Sequence, residues 1–339
     1  MKNEDKLIMS KKVNLASPKA GAKIIDVSDD FFAKCDRMLN DTDPIFIDDK
    51  YDDHGKWMDG WESRRKRVEG NDWAIISLGG KCSIEDVIID TSHFTGNYPP
   101  AASLDFSSNH SYETGSLDWH TLLEKQILKG DHINEFKLLK NQNVTYVRLN
   151  IFPDGGVARL RLFGDLIPFS QDLSKDLELS ALKNGGKIIG YNNAHYGNVN
   201  ALLSEGRGNT MGDGWETRRR RVPGNDFIII ELGTPGLISN VEIDTCHFKG
   251  NFPDRASIQT IDLNNENELL EKLDFLEIDL VVIGPEIPLA NGLADLLRKK
   301  NFKVFGPNKD GAKLEFSKSW AKEFMQDANI PTANFWKVN

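Results

Sequence analysis

A chain of 339 residues is long enough for two or three domains, each burying its own core. Its 42 basic residues against 51 acidic ones leave a net charge of −9, which offers no footprint for nucleic acid or for an anionic membrane surface. Three well-separated cysteines, Cys35, Cys82 and Cys246, exclude a disulfide framework and a zinc knuckle and read as reduced and structural.

Residues 1–22 read as an N-terminal tail. Met1-Lys2-Asn3-Glu4-Asp5-Lys6 lacks an apolar segment of secretory length, and no apolar run in the chain approaches the roughly 18 residues of a membrane span. The expectation is a cytoplasmic protein. Residues 23–168 follow as short strands broken by turns: Trp73–Leu78, Ile84–Asp90, Val144–Phe152 and Val157–Phe163 are β-branched or aromatic runs, punctuated by Gly79-Gly80, Pro99-Pro100 and Pro153-Asp154-Gly155-Gly156. In the last two runs, Val147, Leu149 and Ile151 alternate with Arg148 and Asn150, and Val157 to Leu162 alternate around Arg159 and Arg161, which predicts a hairpin with one wet face. Strands of this length and spacing point to a β-sandwich or jelly roll. A linker over 169–186, weakly helical in Ser170–Leu182, leads to a second strand-rich region at 187–260.

That second region is a copy of the first. Gly60-Trp61-Glu62-Ser63-Arg64-Arg65 returns 154 residues later as Gly214-Trp215-Glu216-Thr217-Arg218-Arg219, and the register runs without a gap through Asp90-Thr91-Ser92-His93-Phe94 and Asp244-Thr245-Cys246-His247-Phe248. Roughly 26 of about 44 positions are identical. Duplicating a core would need only matched apolar positions; the matched Trp-Glu, Arg-Arg and Asp-Thr-x-His residues imply that polar geometry was duplicated too. Lys187-Ile188-Ile189 mirrors Lys23-Ile24-Ile25 at the larger offset of 164, so a surface loop near Asp48 to Lys56 is shortened by about ten residues in the second copy. The copy also stops early. The counterpart of Val144–Gly164 would fall at about 298–318, where no second Pro-Asp-Gly-Gly occurs, so the second module is expected to lack strand pairing, to expose an apolar edge and to be poorly stable.

From 264 to 339 the pattern becomes α/β. A helix at Glu266–Phe275, strand Leu280–Ile283, helix Leu289–Lys300, strand Lys303–Phe305 and helix Gly311–Ala328 predict part of a parallel sheet, with the junction near Ala256 to Asn264. The fold class is therefore mainly β: two tandem sandwich modules, the second truncated, followed by a partial α/β segment.

Three strings in the first copy and one in the second resemble the allantoicase (allantoate amidinohydrolase) family: Gly55 to Arg65 (Gly-Lys-Trp-Met-Asp-Gly-Trp-Glu-x-Arg-Arg), Asp90 to Ser103, Val147 to Arg159, and Met211 to Arg219. The resemblance covers residues 10 to about 260. It implies two jelly-roll modules and hydrolysis of a carbon–nitrogen bond in allantoate, giving ureidoglycolate and urea, in the allantoin branch of purine catabolism. Allantoate carries one carboxylate and two ureido groups, so its site needs a planar cation and hydrogen-bond acceptors. Arg64, Arg65, Arg218 and Arg219 are candidates for the first role, with Asn97 and Asn251 as further substrate-binding residues; Glu62, Asp90, Glu216 and Asp244 are candidates for the second. Release of urea also calls for a proton donor and a base for water, roles open to these carboxylates and to His93 and His247.

Each candidate has a structural alternative. Adjacent arginines on a strand point to opposite faces, so at most one of each pair meets substrate and the other is solvated or salt-bridged. Trp61 and Trp215 read as core or wall, and His93 and His247 serve equally well as hydrogen-bonded structural histidines. Asp154-Gly155-Gly156 reads as a turn requirement. No cofactor is required by the sequence; a divalent metal is compatible with the His and Asp residues, although no compact ligand spacing supports one. Partners reduce to a small-molecule substrate, with no nucleic acid, no membrane, and room for a homo-oligomer. The alternative function is a non-catalytic metabolite-binding sandwich. A third reading comes from Asp279–Leu289, Val304–Lys309 and Leu314–Met325, which resemble phosphoribosylamine-glycine ligase; the Gly-rich phosphate loop and ATP-grasp module of that family are absent from these residues, so the fragment alone implies no ligation.

Overall fold

The computed structural model describes residues 8–9, 12–109, 117–167, 177–196, 199–204, 206–262, 265, 269–271, 273, 280–283 and 286–332. They form two compact units, Met1–Phe252 and Pro253–Asn339. Part of the expected linker, and most of the expected helix Glu266–Phe275, lie outside the described residues.

The first unit contains the strands β1 (Ile8–Met9), β2 (Val13–Asn14), β3 (Lys23–Val27), β4 (Tyr51–Asp52), β5 (Gly55–Lys56), β6 (Trp61–Glu62), β7 (Asp72–Asp90), β8 (Ala101–Ser107), β9 (His120–Ile127), β10 (Ile133–Phe152), β11 (Gly156–Val157), β12 (Arg159–Leu166), β13 (Lys187–Tyr191) and β14 (Ile228–Glu231). Seven of these make one antiparallel sheet, ordered β2-β12-β7-β10-β8-β9 with β3 also on β7. Two very long strands fold that sheet into the layers of a jelly-roll sandwich. The first half of β7 pairs with β3 and with Tyr146–Ile151 of β10, whereas its second half pairs with β12 and with Ile133–Lys137. Register shifts between Lys137 and Tyr146 mark the bend. Ile76, Ile84, Val87, Ile89, Val147, Leu149, Ile151, Leu160 and Trp61 are completely buried between the layers.

Two expectations about the end of this module are corrected. Val144–Phe152 and Val157–Phe163 do not form a hairpin: β10 and β12 lie on opposite edges of β7, and the Pro153–Gly156 segment crosses over between them. Nor is the arginine face of β12 wet. Arg159 is fully buried, its guanidinium held by Asp59 at 2.6 Å and by the carbonyls of Thr42, Asp59 and Ala158. Strand alternation cannot distinguish a solvated arginine from one whose charge and donors are all met inside. Of the expected N-terminal tail, the described residues 8–9 and 12–22 are built into the fold: β1 pairs with β13, β2 pairs with β12, and Leu15, Ala16 and Ala20 are buried.

In the second copy, β13 pairs with β14, and Leu182, Ile188, Val199 and Leu203 join the first module's core. Beyond Glu231 the described chain has no further strand before Phe252. Among the described residues, the segment Leu237–Asp244, equivalent to the second half of β7, has neither of the partners that β10 and β12 provide in the first copy. Ile84, Val87 and Ile89 are each 0% exposed, while their counterparts Ile238, Val241 and Ile243 are 43%, 54% and 55% exposed. Full burial of such side chains is worth about 1.5–3 kcal/mol each, so the second module forgoes several kcal/mol at this edge alone.

The second unit pairs β15 (Val281–Val282) with β16 (Val304–Phe305) in parallel, with helices α1 (Glu286–Asn291), α2 (Leu293–Lys299), α3 (Lys309–Phe316) and α4 (Lys318–Asp327). Leu269, Leu273, Ile283, Leu289, Ala294, Leu297 and Ala312 form its core. Gly292, at φ 96°, and Ser317, whose side chain caps α4, divide what the sequence presents as two longer helices. Among the described residues no helix is long and apolar enough to cross a membrane. Cys35 and Cys82 are buried, as structural cysteines should be, whereas Cys246 is exposed.

Candidate functional site

Each copy ties its duplicated polar residues by the same bonds. Trp61 Nε1 donates to the Asp29 carbonyl and Trp215 Nε1 to the Asn193 carbonyl, both at 2.8 Å. The Arg64 amide donates to Asp29 Oδ1 at 2.8 Å, and the Arg218 amide to Asn193 Oδ1 at 3.0 Å. Lys66 pairs with Asp72 and Arg220 with Asp226. Ser28 and Asn192, each receiving the amide of the residue after that aspartate, donate to the same two carboxylates. The polar geometry was indeed copied.

At the centre stands a glutamate with an asparagine. Asn97 Nδ2 donates to Glu62 Oε1 at 2.7 Å, and Asn251 Nδ2 donates to Glu216 Oε1 at 2.6 Å. Burial pushes the Glu62 carboxyl up from its ordinary range, and the Asn97 hydrogen bond only partly opposes this. A carboxyl so raised can hold a proton nearer neutrality and give it to a substrate.

In the first copy the crossover segment braces this pair. Gly156 lies opposite Glu62 and its amide donates to the Asn97 carbonyl at 2.6 Å. Gly155 and Ser63 exchange backbone and hydroxyl bonds, and Asp154 accepts the Lys66 amide. Side chains are excluded here: a Cβ on Gly156 would sit 2.0 Å from the Phe94 ring, and one on Gly155, at φ 136°, would sit 2.6 Å from the Pro99 nitrogen. The Asp-Gly-Gly run is thus more than a turn requirement, which only the tertiary contacts reveal. No second Pro-Asp-Gly-Gly string follows in the second copy.

The remaining candidates do not all converge. Asp90 is buried and accepts the Ser92 amide, as the exposed Asp244 accepts that of Cys246, so both close local turns. His93 and His247 adopt left-handed backbone (φ 70° and 71°), and their Nε2 atoms bond the carbonyls of Pro44 at 3.2 Å and Gly208 at 2.9 Å. These contacts favour the structural alternative for the histidines. Arg64 is engaged: its guanidinium binds Asp29 at 2.6 and 2.7 Å and lies over the Phe31 ring. Burial works to raise the Asp29 carboxyl, but the bonds from Arg64 outweigh it and hold the carboxyl low. Arg65 and Arg219 are exposed and have no ion-pair partner among the described residues; Arg218, facing Asn193 in place of an aspartate, has no carboxylate partner either. Asp29 was not among the sequence candidates; its counterpart is Asn193, so identity between copies could not flag it. Among the described residues no group of three His, Cys, Asp or Glu is placed to hold a metal ion.

A jelly-roll sandwich carrying one polar knot, repeated in tandem, defines the class of protein. The chain matches the allantoicase repeat twice, over residues 13–167 and 177–278. A probable allantoicase of Acinetobacter baumannii is 49% identical over 261 residues, spanning 77% of this chain and 78% of the relative. One from Acinetobacter baylyi is 51% identical over 248 residues, spanning 73% and 74%. The crystal structure of allantoicase from Saccharomyces cerevisiae is similar with a TM-score of 0.56 at 33% identity, over 66% of this chain and 68% of that one. This chain belongs to the allantoicase family. The second repeat match runs beyond residue 264, where the ligase resemblance begins; that resemblance rests on its sequence strings alone.

Proposed function

We propose that the protein is an allantoate amidinohydrolase of the cytoplasm, releasing urea from allantoate and leaving ureidoglycolate, and that the first module carries the reaction. The observation that carries the assignment to residues is the half-buried Glu62, raised by burial and positioned by Asn97. Water adds its oxygen to the central carbon of allantoate as the carbon–nitrogen bond to one ureido group breaks. Protonated Glu62 gives its proton to the departing nitrogen, and as a carboxylate it recovers one from the attacking water, so charge and protons balance. Arg65, exposed and without a competing carboxylate among the described residues, takes the substrate carboxylate, while Arg64 is occupied by Asp29.

The test is urea release from allantoate by the purified chain. Glu62→Gln should abolish it and Glu216→Gln should leave it nearly unchanged. Tight allantoate binding with no urea from the unaltered chain would select the non-catalytic binding reading instead.

A further inference from the structure

The exposed segment Leu237–Asp244 is not a featureless apolar patch, because the first copy displays the same segment with its cover in place. There, β12 runs antiparallel to β7 with Arg159 opposite Asp90, Leu160 opposite Ile89 and Leu162 opposite Val87. Its lead-in, Gly156-Val157, pairs with Trp61-Glu62. Arg159 ends that approach on Asp59. Each feature of the receiving surface recurs in the second copy: Asp244, Ile243 and Val241 along the strand, Trp215-Glu216 at its head, and Asp213 where Asp59 stands.

Two details show this surface making do without a covering strand. Asp213 is taken by Lys19, from the turn between β2 and β3 of the first sandwich, at 2.7 Å, a lysine in the place of the buried arginine. At Gly60 an added Cβ would meet the backbone of Val157 and Ala158, whereas at the equivalent Gly214 it would meet the ring of Phe248. A side chain thus leans on the groove that β11 fills in the first module. The apolar residues that β12 would cover remain open to solvent.

We propose that the open edge Leu237–Asp244 is a strand-docking site for an extended peptide of the β12 type, and that an arginine on that peptide takes Asp213 as Arg159 takes Asp59. Recognition is by addition of an antiparallel strand: the backbone of 237–244 supplies the hydrogen bonds, Val241 and Ile243 receive alternate leucines, and Asp213 selects the arginine. A Gly-Val-Ala lead-in fits beside Trp215-Glu216, because a larger side chain there would meet Phe248.

A labelled peptide with the sequence of residues 153–166 tests this against the full-length chain. Expected are saturable one-to-one binding by fluorescence anisotropy and slowed hydrogen exchange at 237–244 and 214–216. Val241→Asp, at a site already exposed and so harmless to folding, should weaken binding by about tenfold or more, since it sets an unpaired charge under the docked strand. Substituting the peptide arginine by alanine should weaken it as well, and Lys19→Ala should strengthen it by freeing Asp213. Absence of binding at millimolar peptide overturns the proposal, as does binding indifferent to Val241→Asp, or protection confined to the first module through exchange with its own β12. Self-association of the chain through this edge, lost in Val241→Asp, overturns it too, because the occupant would then be a second copy.

Discussion

Lys19 Nζ lies 2.7 Å from Asp213 Oδ1, joining the turn between β2 and β3 of the first sandwich to the loop that opens the second copy's Gly-Trp-Glu motif. The Lys19 hydrogen bond is the main cause that brings the Asp213 carboxyl down to about 2, with the Thr210 and Asn209 amides adding to it and burial opposing. Because the folded value is depressed, the pair stabilises the native state above the carboxyl's ordinary value of 3.8, and that contribution is lost as pH falls toward 2. In Lys19→Ala, the Asp213 titration followed by carboxyl NMR should move up toward its ordinary value. The stability change at neutral pH should stay below about 1 kcal/mol, since the pair is partly solvated and screened.

Asn97 makes a second, separable prediction. Its hydrogen bond lowers the Glu62 carboxyl against the larger, raising effect of burial. Removing it in Asn97→Ala should raise the carboxyl further, so the alkaline limb of the kcat profile that reports loss of the Glu62 proton moves to higher pH. A purely structural role for Asn97 would lower the amplitude without moving the limb. Glu62→Gln should lower kcat by about 100-fold or more, the usual size of a general acid–base contribution.

The two arginines of the first copy should separate by kinetic parameter. Arg65→Ala removes the free cation and is expected to raise KM for allantoate by about tenfold or more, in line with the roughly 1.5–3 kcal/mol of a hydrogen bond to a charged group. Arg64→Ala mainly releases Asp29 from its ion pair, so its effect should fall on stability and only weakly on KM. Steady-state assays of both variants decide between them; equal rises in KM would contradict the assignment.

What the sequence made legible was whatever repeats. The register linking Glu62 to Glu216 and Asn97 to Asn251 was readable because both partners of each bond recur, and the bonds recur with them. The early end of the second copy was readable for the same reason. Pairing across the sandwich was not. Phe152 and Val157 are close in sequence, yet β10 and β12 sit on opposite sides of β7, a choice made by the crossover's contacts with Ser63, Lys66 and Asn97 and not by local alternation. Alternation alone makes Arg159 solvated, because its partner Asp59 is a hundred residues away. The left-handed backbone that sets His93 against Pro44 leaves no sequence signal of its own in a Thr-Ser-His-Phe string.

Equivalent valines give the sharpest stability test. Val87 is sealed between β10 and β12, while Val241, in the same position of the second copy, is 54% exposed with no strand on either side among the described residues. Val87→Ala deletes two buried methyl groups and leaves a cavity, which should cost about 1.5–3 kcal/mol in denaturant unfolding. Val241→Ala removes carbons that water already reaches and should change stability by less than about 0.5 kcal/mol. Measured on the full chain by the shift of the first unit's transition midpoint, the two values separate the sealed edge from the open one. Equal losses would mean that 237–244 is covered in solution, and the Val241 variant would then also report on whatever covers it.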